Sequence, residues 1–152
     1  MGKIKNEQFI FANIFIIANR LQTACEKIQK DITMKQWLML AIASSGYDKQ
    51  NLSEIGRLMG CSRQNVRKLA NPLVEKDYIR LEKGENNSLN LKLTEKFQSY
   101  SKQMEERNLM TLNLLFESFS ESELVEFASY IGKFHNGLKK VEEYGDKLNE
   151  GK

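Results

Sequence analysis

The sequence predicts a mainly α fold, a series of helices interrupted by one β-hairpin, in a chain of 152 residues. Three observations carry this expectation. A single Pro and long stretches of 3.6-residue apolar periodicity favour helix over most of the length. Residues 51–77 hold two short amphipathic segments joined at Gly60. Residues 79–93 switch to strict period two on both sides of a Gly/Asn-rich turn. Helix, turn, helix and hairpin in that order make a winged helix-turn-helix, and the long apolar runs outside it add extended N- and C-terminal helices.

Residues 6–30 read as the first helix. Ile10, Ile14, Ile17, Leu21, Ala24 and Ile28 form one stripe, with Phe11, Phe15 and Ala18 beside it. A stripe this wide is costly to expose, so a partner surface is expected there. Thr33 and Gln36 then stand at N-cap and N3 spacing, opening a second helix whose Trp37, Leu38, Leu40, Ala41 and Ile42 leave little polar face. That composition predicts burial between neighbours. Ser45-Gly46 ends the helix and Tyr47–Gln50 reads as a short polar loop.

The segment Asn51–Asp77 follows. Asn51 and Glu54 mark a helix start, and Leu52, Ile55, Leu58 and Met59 give an inward stripe. Gly60 supplies the φ > 0 stop, and Gly56, four residues earlier, permits close approach of a crossing helix. Ser62 caps the next helix, with Val66, Leu69, Ala70 and Leu73 inward. Pro72 removes a backbone donor and is expected to kink or shorten that helix. Asp77 takes the left-handed position after it, where Asp is among the few tolerant side chains.

Opposite the apolar stripe lie Gln64, Arg67, Lys68 and Asn71, with Arg63 flanking them near the N-terminus. Between Glu54 and Glu75 there is no acidic residue and four basic ones, Arg57, Arg63, Arg67 and Lys68. Cations of one sign suit a phosphate lattice, while Arg, Gln and Asn side chains match base edges in the major groove. Residues 51–80 carry six basic and three acidic side chains, whereas residues 94–152 carry eight basic and eleven acidic ones. The acidic C-terminal part is therefore not the face offered to double-stranded DNA.

In the hairpin, Ile79 and Leu81 alternate with Arg80 and Glu82, and Leu89, Leu91 and Leu93 alternate with Asn90 and Lys92. The turn between them, Gly84–Ser88, contains Asn86 and Asn87 and is preceded by Lys83, the tip's only cation. Thr94 caps a long helix with a near-heptad seam through Phe97, Tyr100, Met104, Asn108, Leu112, Leu115 and Phe119. Ser120 and Glu123 make a capping box for the last helix, in which Leu124, Phe127, Ile131, Phe134, Leu138 and Val141 keep the 3-4-3-4-3 spacing of a coiled-coil seam.

Several functions are excluded on the same grounds. No P-loop, Gly-rich dinucleotide motif, nucleophile elbow or Cys/His cluster is present, so no enzyme, cofactor or metal site is expected. The lone histidine, His135, faces away from the Phe134 seam. Cys25 and Cys61 provide no disulfide framework, and no signal peptide is evident. The most apolar run, residues 9–18, is too short to span a bilayer, so a cytoplasmic protein without membrane contact is expected.

In this order and spacing the chain resembles the MarR family of winged-helix transcription regulators. The resemblance is carried by Thr33–Trp37, Leu52–Gly60, Ser62–Leu69, Leu73–Ile79 and Leu89–Thr94, and it covers nearly the whole length. It implies a homodimeric, non-enzymatic repressor that reads palindromic operators and is released by a small, often aromatic, ligand. Residues 1–32 and 95–152 would form the helical dimerisation region, through Ile10, Ile14, Ile17, Leu124, Phe127, Ile131 and Phe134, and residues 33–94 the DNA-binding lobe. The DNA contacts would come from Ser62, Arg63, Gln64, Asn65, Arg67, Lys68 and Asn71, and at the wing from Lys83, Asn86 and Asn87. An effector pocket would be lined by Phe15, Trp37 and Met104. The sequence departs from the family at the wing tip, which lacks the usual Arg, and at Asp77, where Gly is usual. An Arg-poor wing predicts weaker minor-groove anchoring and a shallower salt dependence. Two rival functions fit the same pattern: a winged-helix protein-interaction module, and a ligand-binding accessory protein that does not bind DNA.

Overall fold

A computed structural model describes residues 2–45 and 51–152; the expected polar loop at 47–50 and the Gly46 stop lie outside the described residues. The elements are α1 (Lys3–Glu26), α2 (Met34–Ser44), α3 (Leu52–Met59), α4 (Arg63–Glu75), β1 (Ile79–Lys83), β2 (Leu89–Leu93), α5 (Glu95–Phe116) and α6 (Glu121–Asn149). They fall into two compact units, Met1–Leu109 and Met110–Lys152.

In the first unit a single buried cluster joins α2 to α5. Met39 and Leu40 of α2, Leu52 and Ile55 of α3, and Val66, Ala70 and Leu73 of α4 meet Ile79 and Leu91 of the hairpin, with Tyr100 and Met104 of α5. Each fully buried side chain of this size contributes roughly 1.5–3 kcal/mol of transfer free energy.

The chain ends of these helices follow from their sequence. Thr33 and Gln36 form a reciprocal capping box on α2, Asn51 accepts from the Glu54 amide, and Ser62 accepts from the Asn65 amide. Gly60 closes α3 at φ 71°, with the Cys61 amide returning to the Gly56 carbonyl. A Cβ on Gly56 would stand 2.7 Å from the Cys61 carbonyl oxygen and 3.3 Å from Val66 Cγ2, so glycine is what lets the turn fold against α4. Asp77, at φ 60°, performs the corresponding stop for α4, and the Tyr78 amide reaches back to the Leu73 carbonyl.

The expected hairpin is present, antiparallel, with Ile79 facing Leu93, Leu81 facing Leu91 and Lys83 facing Leu89. An isolated bridge from Asn51 to Asn90 fastens β2 to the start of α3.

Four expectations are corrected. Helix α1 runs from Lys3 to Glu26, so residues 27–30 are not helical; Gln29 instead bonds Asn108 and Tyr100 through its side chain. Helix α2 is not buried all round. Gln36, Met39, Leu40 and Ala43 are inside, while Trp37 and Leu38 are exposed, because α3, α4 and the hairpin cover only one of its faces. Pro72 does not shorten α4, which continues to Glu75; the proline carbonyl still accepts from the Lys76 amide. Finally, α5 stops at Phe116, three residues before the end of its proposed seam.

The second unit contains the end of α5, a turn and α6. Ser120 and Glu123 form the second capping box, and these hydrogen bonds hold the Glu123 carboxyl below its ordinary range. The Phe119 ring, in the turn, meets Phe116 and Phe127 edge-on, at centroid distances of 6.0 and 5.9 Å.

Candidate nucleic-acid interface

Helix α4 is held from three sides. Val66, Ala70 and Leu73 are buried. The side-chain amide of Gln36 donates from Nε2 to the Leu69 carbonyl at 3.1 Å. Beyond its C-terminus, Lys76 Nζ and the Tyr78 hydroxyl both bond the Asp31 carboxylate, and Lys96 Nζ caps the Lys76 carbonyl at 2.7 Å. These bonds, the one from Tyr78 foremost, lower the Asp31 pKa, whereas burial, then the Asp31 bond, push the Tyr78 hydroxyl up to about 12. Over residues 63–71, α4 leaves the polar set Arg63, Gln64, Asn65, Arg67, Lys68 and Asn71 exposed. Ser62 is exposed too, its hydroxyl engaged in the cap.

Beside this face stands the wing. Asn86 and Asn87 both adopt left-handed backbone, at φ 55° and 58°, and so turn the tip over in three residues. Arg63 Nη2 donates to the Asn87 carbonyl oxygen at 2.9 Å, joining the first turn of α4 to the tip. The two elements enclose an open cleft of about 220 Å³, lined by Arg63, Arg67, Lys83, Gly84, Asn87, Ser88 and Leu89. Four of the expected DNA-contacting residues, Arg63, Arg67, Lys83 and Asn87, thus converge on one place. Gln64, Asn65, Lys68, Asn71 and Asn86 are exposed outside that lining. Of the four cations in the acid-free stretch, Arg57 is turned to Glu54, at 3.1 Å.

Gly84 and Ser88 were not legible as cleft residues, since nothing in local sequence marks a lining position. The two asparagines carried a usable signal in their tolerance of φ > 0, which gives them a backbone role in addition to any contact.

The other expected sites are distributed differently. Met104 lies in the core at 2% exposure, while Phe15 and Trp37 are 58% and 39% exposed. On α1, Ile10, Ile14 and Ile17 are exposed, and only Cys25 of the whole helix is buried. On α6, Phe127, Ile131 and Phe134 are exposed and Leu124 is half-buried. Cys61 packs half-buried against the core, and His135 is exposed. Among the described residues, no acidic, His or Cys cluster is arranged to hold a metal, and no helix is long and apolar enough to cross a membrane.

No protein-family model and no curated relative matches this sequence. Solved structures do. A MarR/EmrR family transcriptional regulator from Acinetobacter sp. ADP1 is 21% identical with a TM-score of 0.77, over 88% of this chain and 97% of that one. The MepR–DNA complex of S. aureus aligns at 17% identity and a TM-score of 0.69, over 84% and 96% of the two chains. The PcaV transcriptional regulator of Streptomyces coelicolor, solved with its natural ligand, gives 16% identity and a TM-score of 0.62, over 79% and 89%. The chain therefore has the winged-helix fold that MarR-family regulators adopt.

Proposed function

We propose that this chain is a MarR-type, DNA-binding transcriptional regulator, working in the cytoplasm as a homodimeric repressor without enzymatic activity. One observation carries the proposal: α4 presents Arg63, Gln64, Arg67 and Lys68 to solvent directly beside a wing whose Lys83 faces the same cleft. Cations there neutralise phosphates, and the amide and guanidinium groups match base edges. The shared fold supports it, since MepR of that fold was solved bound to DNA.

Residues 33–94 form the DNA-binding lobe in this proposal, and residues 1–32 and 95–152 form the dimerisation region. A second copy covers the apolar face of α1 around Ile10, Ile14 and Ile17, and that of α6 around Phe127, Ile131 and Phe134. Exposed apolar faces of this extent are unusual on a monomer. Two lobes then address a palindrome with half-sites about one helical turn (~34 Å) apart. Release by a small ligand is proposed by analogy with PcaV, solved with its natural ligand. The exposed rings of Phe15 and Trp37 are available for such a site, whereas Met104 is buried in the core.

The test is selection from a random duplex library with purified protein, followed by measurement of the stoichiometry on the enriched sequence. A palindrome bound by two chains supports the proposal. No enriched motif, with no binding at low salt, overturns it.

A further inference from the structure

The basic residues of α4 and the polar ones beside them fall into two columns, with Asn65 outside both. At about 100° per residue, Arg63 and Arg67 stack on the side toward the wing, and Gln64, Lys68 and Asn71 stack roughly a quarter-turn away. The cleft lining respects this division: it includes both arginines and none of the second column. Lys83 enters from the end of β1, and no carboxylate lines the space. Arg63 is already committed, through Nη2, to the Asn87 carbonyl. A guanidinium has five N–H donors, so this bond leaves others free to face the cleft.

We propose that the cleft seats a single backbone phosphodiester of duplex DNA, held by Arg67 and Lys83, with Arg63 as the positioning residue that sets the wing tip at the right distance. Base readout then falls to Gln64, Lys68 and Asn71. This rests on the DNA-binding function proposed above, and assigns each basic residue of that site its task. Three converging cations with no carboxylate among them suit one phosphate anion, which a guanidinium and an ammonium can grip together. The wing compensates for its arginine-free tip by borrowing arginines from α4.

The test uses the full-length protein on its selected duplex, with a salt titration and a panel of single base-pair substitutions. Arg67→Ala and Lys83→Ala, each removing one phosphate contact from both chains of the dimer, should make the slope of log K against log salt shallower by about 1.8, and lower affinity evenly across the panel. Arg67→Lys should restore the slope and keep the panel unchanged, because a phosphate accepts either cation. Gln64→Ala should flatten preference at one base pair of each half-site with the slope intact. Arg63→Ala should speed amide exchange at Gly84 and Ser88 in the DNA-free protein, since these amides close the tip by bonding to Ser88 and Glu85 carbonyls. A specific base preference lost in Arg67→Ala and not recovered in Arg67→Lys would make Arg67 a base reader and overturn the assignment, as would unchanged exchange in Arg63→Ala for the positioning role. If the wild-type protein binds no duplex at low salt, the DNA-binding function fails, and the clamp with it.

Discussion

Gln36 Nε2 donates to the Leu69 carbonyl oxygen across 3.1 Å, so the residue that completes the cap of α2 also grips the middle of α4. The same side chain accepts from the Thr33 amide at 2.9 Å and is 7% exposed. Gln36→Ala removes both bonds in a buried place and should cost about 1–3 kcal/mol in chemical denaturation. Gln36→Glu keeps the cap but sets a carboxylate against a carbonyl. It should be at least as destabilising at neutral pH and recover in acid, as the carboxyl protonates and becomes a donor.

The tight turn between α3 and α4 makes opposite demands on its two glycines. Gly56→Ala drives a Cβ to 2.7 Å from the Cys61 carbonyl oxygen, a backbone atom, and should cost about 1–3 kcal/mol by overpacking. Gly60 has open space around a Cβ but a φ of 71°. Gly60→Ala should therefore cost about 1–2 kcal/mol through conformation alone, and Gly60→Asn less. Denaturant midpoints of the three variants check this; equal losses for Gly60→Ala and Gly60→Asn would contradict the conformational cause.

Stability should respond to pH through Tyr78 and Asp31. The Tyr78 pKa is raised to about 12, so its contribution is fully present below the ordinary value of 10.0 and is lost as pH rises between the two. Tyr100, raised by burial, adds in the same direction. Asp31 is lowered from 3.8, so its contribution is present above that value and lost as pH falls below it. Tyr78→Phe should flatten the alkaline limb, leaving the Tyr100 part, and should also flatten the acid limb, because Tyr78 provides the leading bond to Asp31. Thermal melts across both windows decide it.

Assembly is predicted to depend on the apolar faces of α1 and α6. Ile14 and Ile131 are 45% and 43% exposed in the single chain, so neither holds its own fold together. Ile14→Glu and Ile131→Glu should keep the helical circular dichroism while shifting the sedimenting species from two chains to one. A wild-type protein that sediments as one chain at micromolar concentration would contradict the homodimer.

The parts of this fold legible in the sequence are those set by short-range chemistry. Thr33, Asn51, Ser62 and Ser120 announce helix starts because their caps close within three residues. The two strands of the hairpin follow from alternation of Ile79, Leu81, Leu89, Leu91 and Leu93 on either side of the turn. The end of α1 was less legible, since no Gly or Pro follows Glu26, and the segment after it is held by Gln29 bonding to residues 71 and 79 positions away. An almost wholly apolar α2 carries no mark of which side is covered, so the exposure of Trp37 could not be read. At the candidate site, the polar face of α4 was legible from its helical spacing. The bond from Arg63 to Asn87 was not, because it spans 24 residues and involves a backbone oxygen.

The most direct measurement is hydrogen exchange of the full-length protein with and without its selected duplex. Binding through α4 and the wing predicts slowed exchange across residues 62–71 and 84–88, and little change across the rest of the hairpin or the middle of α6. Duplex-dependent protection elsewhere, with residues 62–71 and 84–88 exchanging as in the free protein, would contradict the assignment of α4 and the wing as the DNA-binding surface.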